Sequence, residues 1–233
     1  MIKTKIRDLK LDARILMEGK YSFLALVTLL MGFFDLGLNY LLEYAFPTAD
    51  SLFSTILYLV CTVLCNVVYY LLFAGMIRLF LNLCRHRPFL IKDLFSAFSD
   101  HPEPVALYSV LQFILQTAFS YSFSWCISRF LNDSPKEWIL PLIVLILSTA
   151  IVVWLQLSLS LVLFLYCDSP WKSVVQLIRE SWSLMKGNKG RMFYLYLSFI
   201  GMLLLSVISF GIGLLFVRPY LYTVQTLFYL DLM

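Results

Sequence analysis

The chain has 233 residues, of which 61% are hydrophobic and only 14% are charged, and its mean hydropathy is +0.85. Soluble domains are about 45–50% apolar and about 25% charged, so one globular core cannot account for this excess. Hydrocarbon about 30 Å thick needs roughly 20 apolar helical residues per crossing, and several stretches of this chain are that long. The composition therefore predicts a single membrane domain over 1–233, an all-α polytopic transmembrane bundle.

The N-terminal 20 residues carry six cations, and an apolar run follows from Tyr21 to Phe46. A secretory signal has a shorter apolar core and an A-x-A-like cleavage site, whereas this run is long and contains Asp35. We therefore expect a retained first span. The five cysteines are scattered without a C-x-x-C pair, and the chain has only two histidines, so neither a disulfide framework nor a metal site is expected.

The candidate spans are Tyr21–Phe46, Phe53–Leu83, Val105–Phe130, Trp138–Tyr166 and Met192–Leu232. The last stretch is about 40 residues long, too long for one simple crossing, and it is interrupted by the FGIG sequence at Phe210–Gly213. Interpreting it as a hairpin of two short spans gives six spans. The five-span alternative keeps one crossing, Met192–Val217, and lays the remainder in the membrane interface.

Positive charge is concentrated in three connecting segments, 1–20, 78–92 and 172–191. These segments hold 15 of the 18 lysines and arginines, and they fall on the same side of the membrane. The positive-inside rule then places the N-terminus in the cytoplasm of a multi-pass plasma-membrane protein. Six spans would return the C-terminus to the cytoplasm, and five would leave it outside. The basic face should meet anionic lipid, and no nucleic-acid partner is expected.

Each cationic segment has the pattern of an amphipathic helix that lies in the cytoplasmic membrane interface. The first and third end alike, with LMEG at Leu16–Gly19 and LMKG at Leu184–Gly187, just before an apolar run. Gly187 is predicted to end its helix. The pattern suggests three diverged units, 1–83, 84–167 and 168–233, each an interfacial helix followed by a two-span hairpin. The alternative is that the match arose by chance, since such helices commonly precede spans.

Charged and polar residues inside spans are costly and are therefore candidates for function. Asp35, Asn39 and Glu43 recur every four residues along one stripe of the first span. Arg218 lies at comparable depth and is predicted to form an ion pair with Asp35 or Glu43. A substrate or proton pathway and plain solvent exposure are the alternatives.

A second polar set lies deeper in the spans: Asn66, Gln112, Gln116 and Gln156. All four could meet near the midplane of the bundle. Hydrogen bonds between helices would explain them, and so would a polar translocation cavity. Five cations of the third connecting segment are candidates for lipid-headgroup contact: Lys172, Arg179, Lys186, Lys189 and Arg191.

Enzyme signatures are nearly absent from the sequence. There is no G-x-x-x-x-G-K-[ST] phosphate loop and no H-E-x-x-H motif. Two S-x-x-K matches, at Ser169–Lys172 and Ser183–Lys186, lie in one amphipathic helix without the motifs that accompany an acylatable serine. We expect no catalytic residue, no cofactor and no enzymatic activity.

The C-terminal third carries S-x-x-LMKG, LSFIG, FGIG, RPY and FY-x-x-L, at Ser181–Gly187, Leu197–Gly201, Phe210–Gly213, Arg218–Tyr220 and Phe228–Leu232. With these motifs, and a basic helix over Leu9–Gly19, the chain resembles the bacterial integral-membrane family known as domain of unknown function number 975. That family is similar to membrane domains attached to some glycerophosphodiester phosphodiesterases, whose catalytic domain has no counterpart here. The resemblance implies a multi-pass membrane protein of bacteria, Gram-positive ones in particular, without an established activity.

Two functions remain open on the sequence. The first is a non-enzymatic membrane protein that interacts with lipid or a partner complex, such as an accessory to export or envelope stress, or that forms a homo-oligomer. The second is a small transporter or lipid-handling carrier with a polar site near the membrane midplane, since repeated units are common in transporters.

Overall fold

The computed structural model describes residues 4–46, 51–132 and 137–233. These residues form helices joined by short turns, and no strand occurs among them. The helices are α1 (Ile6–Met17), α2 (Tyr21–Ala45), α3 (Leu52–Cys84), a 3-10 helix (Ile91–Phe95), α4 (Ser96–Ser99), α5 (Glu103–Asn132), α6 (Ile139–Leu159), α7 (Val162–Asp168), α8 (Val174–Met185), α9 (Lys189–Leu197), α10 (Ile200–Ile208) and α11 (Leu214–Leu230). The predicted all-α class is confirmed.

Four helical segments of the described chain are long and apolar enough to cross a membrane. They are α2, α3, the segment Ile139–Asp168 formed by α6 and α7, and the segment Lys189–Ile208 formed by α9 and α10. Helix α5 spans 30 residues but carries more polar side chains, and α11 has 17 residues. Length and apolarity therefore indicate a membrane protein, but they do not confirm the predicted number of six spans.

Both ends of the chain lie at one end of the helix bundle. The Thr4 amide donates to Asp231 Oδ1 at 3.1 Å, and Arg191, at the start of α9, donates to Asp231 Oδ2 at 2.8 Å. Arg85, just after α3, pairs with Asp168 at the end of α7. We call the end of the bundle marked by these five residues the basic end. The last turns of α2, α5 and α10 and the first turns of α3, α6 and α11 lie at the opposite, distal end.

Most of the buried core lies in the half of the bundle next to the basic end. Its largest fully buried side chains include Tyr166, Tyr229, Phe80, Phe199 and Phe228. Towards the distal end, the helices expose large apolar side chains: Tyr44 is 78%, Leu52 81%, Ile139 67% and Ile208 74% exposed. This division is expected where a bilayer covers the helices, because lipid tails solvate apolar side chains that water would not.

Three elbows in the chain share one backbone geometry. At each, a helix ends, the residue two positions later has a positive φ, and the next helix begins two positions after that. The triplets are Met17, Gly19 and Tyr21; Ser99, His101 and Glu103; and Met185, Gly187 and Lys189, with φ of 74°, 51° and 80° at their middle residues. Glycine takes this conformation without strain, so the predicted role of Gly187 is confirmed. The organisation into three units stays a prediction.

The two longer cationic helices pack differently. Helix α1 buries Leu9 and Ala13 against the bundle, where the Tyr220 hydroxyl of α11 donates to the Lys10 carbonyl at 3.1 Å. Its predicted membrane-facing side is therefore covered by protein, because α11 returns to the same end of the bundle. On and just before α8, by contrast, Trp171 and Val175 are 72% and 61% exposed.

The middle cationic segment departs from the predicted amphipathic helix. It forms the 3-10 helix and the single turn of α4, and it buries Leu94 and Ala97 while Phe95 and Phe98 are 57% and 41% exposed. Leu94 belongs to the 3-10 helix and Ala97 to α4, so the two short elements together cover α3. The cause is a close approach to α3 at Gly75, where a Cβ atom would overlap the Leu94 carbonyl.

The last apolar run turns where the sequence predicted a hairpin. Helix α10 ends at Ile208 and α11 begins at Leu214, and Gly211 between them has a φ of 86°. A Cβ atom on Gly213 would lie 2.7 Å from the Ser206 Cα, so only glycine fits there without a backbone shift.

Candidate functional site

A polar cavity of about 320 Å³ lies between α2, α3 and α5, towards the distal end. We call it the distal cavity. Its described lining residues are Asp35, Leu38, Asn39, Leu42, Thr62, Cys65, Asn66, Tyr69, Tyr70 and Gln116. Four of the residues singled out in the sequence, namely Asp35, Asn39, Asn66 and Gln116, are thus brought together.

Polar groups in the distal cavity are only partly satisfied. Asn39 Nδ2 donates to the Asp35 carbonyl at 2.8 Å and to Asp35 Oδ1 at 3.3 Å. The side-chain oxygen of Asn66 is buried and accepts no hydrogen bond from any described residue. Burying such a group without a partner costs about 1–3 kcal/mol. A cavity with this lining is therefore suited to a polar ligand or to water.

Arg218 does not form the predicted ion pair. None of the ion pairs among the described residues joins it to Asp35 or Glu43, and Glu43 is exposed outside the distal cavity. The guanidinium instead lies against Gly32, with Nη1 2.9 Å from the position a Cβ would occupy there. Asp35 is three residues further along α2, about 60° around the helix, so its side chain turns away towards α3.

Gln112 and Gln156 occupy a second cavity, of about 510 Å³, which we call the central cavity. Gln156 Nε2 donates to Gln112 Oε1 at 2.7 Å, and Gln112 Nε2 donates to the Tyr108 hydroxyl at 2.7 Å. This pair therefore joins α5 to α6 by hydrogen bonds between helices. The four amides predicted to meet near the midplane are divided between two cavities.

Tyr70 lines both the distal and the central cavity, and its ring contacts the Tyr108 ring edge to face, with 5.8 Å between centroids. A third cavity, of about 480 Å³, lies at the basic end beside Arg78, Arg85 and Arg87. We call it the basic cavity. Residues of α3 and its C-terminal extension line the three cavities in succession, from Thr62 to Tyr70, from Tyr70 to Ile77 and from Arg78 to Arg87.

Two arginines of the basic cavity already have carboxylate partners. Arg85 makes a bidentate pair with Asp168, at 2.6 and 2.7 Å, and Arg78 pairs with Asp100. The hydrogen bonds to Asp168 raise the pKa of Arg85. Arg87 is exposed at the rim. Within the described ranges 4–46, 51–132 and 137–233, no group of three or more His, Cys, Asp or Glu side chains could hold a metal ion.

Three of the five candidate headgroup contacts have partners within the protein. Lys172 Nζ lies 2.8 Å from Glu180, Lys189 Nζ lies 3.7 Å from the centroid of the Trp154 ring, and Arg191 binds Asp231. These three side chains bind groups within the protein and stabilise the fold. The predicted contact with lipid headgroups therefore fits them poorly. Arg179 and Lys186 are exposed and remain candidates for headgroup contact.

Sequence reasoning missed most of the α3 wall of the distal cavity. Thr62, Cys65, Tyr69 and Tyr70 all line it together with Asn66. Their spacing of three or four residues marks one helical stripe that is more polar than the rest of α3. The sequence contains this stripe, but none of these side chains is polar enough by itself to stand out within an apolar span.

The helical architecture is all-α, and its four segments long and apolar enough to cross a bilayer indicate a membrane protein. Within that class, the chain belongs to the family described as protein of unknown function (DUF975), whose model matches residues 1–233. The family inferred from the sequence motifs is thus confirmed. No curated protein and no solved structure matches the chain.

Proposed function

We propose that this chain is a six-span, non-enzymatic protein of the bacterial plasma membrane that binds a small polar solute in the distal cavity and carries it along α3. The observation that supports this most strongly is the distal cavity itself. It places Asp35 and the unpartnered oxygen of Asn66 together inside helices long and apolar enough to cross a bilayer. Polar groups in such a position mark substrate or ion pathways in membrane proteins.

Six spans are supported by the contacts at the basic end. Thr4 and Asp231 touch, so the chain must return to the side of the membrane on which it starts. An even number of crossings meets this condition, which favours six spans over five. The two additional crossings are α5 and α11, of 30 and 17 residues, and the 17-residue helix is about 26 Å long. Slight thinning of the bilayer accommodates a helix of that length. The positive-inside rule places the basic end in the cytoplasm.

A carrier, rather than a static binding protein, is supported by the series of cavities. The distal, central and basic cavities follow one another along α3, and Tyr70 separates the first two. A change in the position of the Tyr70 side chain would join the distal and central cavities. Side-chain rotation of this kind is a small motion compared with the rearrangements that gate many carriers.

The proposal predicts solute accumulation by the purified protein in proteoliposomes. Vesicles would be incubated with a mixture of amino acids, amines, sugars and nucleobases, and their contents identified by mass spectrometry. We expect at least one solute to enter above the level of protein-free vesicles. Asn66→Leu should lower that uptake about fivefold or more, as loss of a polar contact implies, while Asn132→Leu outside the cavity should not. Absence of uptake of every solute would contradict the proposal.

A second function, interaction with anionic lipid or with a partner complex, is favoured by a different observation. The exposed Trp171 and Val175 adjoin the exposed cations Arg179 and Lys186, which is the composition of a surface that lies in a membrane interface. Vesicles with and without phosphatidylglycerol would test this function. Charge removal at both cations should weaken lipid binding at low salt without changing solute uptake.

A further inference from the structure

We propose that the ligand of the distal cavity is a small organic cation, a solute carrying a protonated amine. This inference rests on the proposed solute-binding function and names the chemical class of the solute. It depends on three properties of the cavity, which are its charge, its unsatisfied hydrogen-bond acceptor and its aromatic wall.

The charge of the distal cavity is one-sided. Asp35 is half-buried in its wall, and no Lys, Arg or His is among the described residues that line it. Arg218, on α11, lines a different cavity, beside Thr28 and Gly32. A carboxylate inside a membrane-spanning helix is costly unless an opposite charge compensates it. Arg218 is close enough to act electrostatically on Tyr69 in the lining, but no ion pair of the described chain joins it to Asp35, so a cationic ligand can make that contact.

The hydrogen-bonding groups of the lining include acceptors that no described donor satisfies. Asn66 Oδ1 has no donor among the described residues. The Thr62 hydroxyl donates its proton to the Tyr58 carbonyl at 2.8 Å, so its lone pairs are what it can offer to the cavity. With the Asp35 carboxylate, these oxygens can accept the protons of an ammonium group, which has donors and no acceptor. The Tyr69 and Tyr70 hydroxyls and the Gln116 amide also line the cavity and can donate, so the preference for a cation rests on the Asp35 carboxylate.

The wall of the distal cavity adds two tyrosine rings. Tyr69 and Tyr70 meet edge to face, with 5.7 Å between centroids. Aromatic faces attract cations, and alkylammonium groups in particular. The volume of about 320 Å³ is at the lower limit of ordinary small-molecule pockets, about 300 Å³, and about ten times the share of one water molecule. It therefore suits a small organic amine better than a single alkali-metal ion.

Two native cysteines allow a direct test without an engineered reporter. Cys65 lines the distal cavity, and Cys61, one turn earlier on α3, does not. The wild-type protein in nanodiscs would be treated with three methanethiosulfonates that bear a quaternary ammonium, a sulfonate or a neutral polar group. Peptide mass spectrometry would give the modification rate at each cysteine, and every rate would be divided by that of the same reagent with free mercaptoethanol.

We expect the cationic reagent to modify Cys65 about tenfold or more faster than the anionic one after this correction, as one nearby carboxylate without an ion-pair partner implies. Asp35→Asn should abolish the preference, and Glu43→Gln, on the same helix but outside the cavity, should preserve it. Methylammonium should protect Cys65, whereas the same concentration of Na⁺ or K⁺ should not.

Each other outcome contradicts the inference in a recognisable way. If the neutral reagent reaches Cys65 but the charged ones show no preference, the ligand is not a cation, although the solute-binding function stands. Equal protection by Na⁺ would make the ligand an alkali ion. If no reagent reaches Cys65, both proposals fail. Should Asp35→Asn not fold, Asn39→Asp adds a carboxylate to the same wall and must increase the preference for the cation.

Discussion

At the scale of single residues, the polar side chains inside the helices differ in whether a neighbouring helix supplies their hydrogen-bond partners. Gln112 and Gln156 bond each other across α5 and α6, while the Asn66 oxygen has no partner among the described residues. The sequence shows that these residues are polar and how deep they lie. It does not show which pairs meet, because that depends on the rotation of each helix about its own axis. The same uncertainty explains why Arg218 was paired with Asp35 in the prediction.

This difference predicts opposite effects of two similar substitutions. Gln112→Leu removes the partner of both Gln156 and Tyr108, so we expect it to lower the free energy of unfolding by about 1–2 kcal/mol. Asn66→Leu removes an unsatisfied buried oxygen and should leave stability unchanged or raise it. Thermal unfolding in detergent would measure both, since 1 kcal/mol shifts the midpoint by about 2–4 °C in a protein of this size. A loss of stability in Asn66→Leu as large as that in Gln112→Leu would show that Asn66 is a structural residue.

At the scale of elements, the glycines and helix-ending signals in the sequence predicted boundaries correctly. The conformation of the middle cationic segment was not predicted correctly. The hairpin near Gly211 and the helix end before Gly187 were both predictable, since each position has the positive φ that favours glycine. The segment Ile91–Ser99 was misjudged because its conformation is set by a contact with Gly75, 19 residues before Leu94 in the chain. Local periodicity contains no information about such a contact.

The contact at Gly75 predicts a strong effect of one methyl group. In Gly75→Ala the new Cβ would overlap backbone of Leu94, which cannot move without displacing the 3-10 helix from α3. We expect the free energy of unfolding to fall by several kcal/mol, or the protein to fail to accumulate, because the new methyl group overpacks against backbone. Gly37→Ala is the matched control, because nothing lies within 4 Å of its Cβ position in α2 and alanine favours a helix. Monodisperse yield after detergent extraction would compare the two, and equal yields would refute the close packing.

At the scale of the whole molecule, the contacts that hold the two chain ends together support the proposed topology. Hydropathy predicted six or five spans without choosing between them, because an interfacial segment and a short span have similar composition. The ends meet through Thr4, Arg191 and Asp231, and nothing in the sequence predicted that these three residues pair. The class of protein could therefore be inferred from composition, whereas the arrangement of its cavities needed the tertiary structure.

The contacts of Asp231 predict a dependence of stability on pH. Burial alone would raise the pKa of this carboxyl, but hydrogen bonds from Thr4 and Arg191 outweigh burial and hold its pKa below the usual 3.8. Because the pKa is lowered in the folded state, the stability that the Asp231 contacts contribute is present above about pH 3.8 and is lost as pH falls further. We expect Asp231→Asn to lower the unfolding temperature at pH 6 by several degrees. The variant should also lose less stability than the wild type on acidification. Asp12→Asn, at an exposed carboxylate, should behave like the wild type.

Water and small polar solutes should enter the bundle at the distal cavity while the protein lies in a membrane. A nitroxide attached to Cys65, in nanodiscs prepared in deuterated water, reports this through the deuterium modulation of its electron spin echo. We expect modulation close to that of a nitroxide on the exposed surface in Lys186→Cys, and much weaker modulation at Cys61 on the same helix. Modulation at Cys65 as weak as that at Cys61 would mean that the cavity is closed to water, and it would contradict the proposed solute site.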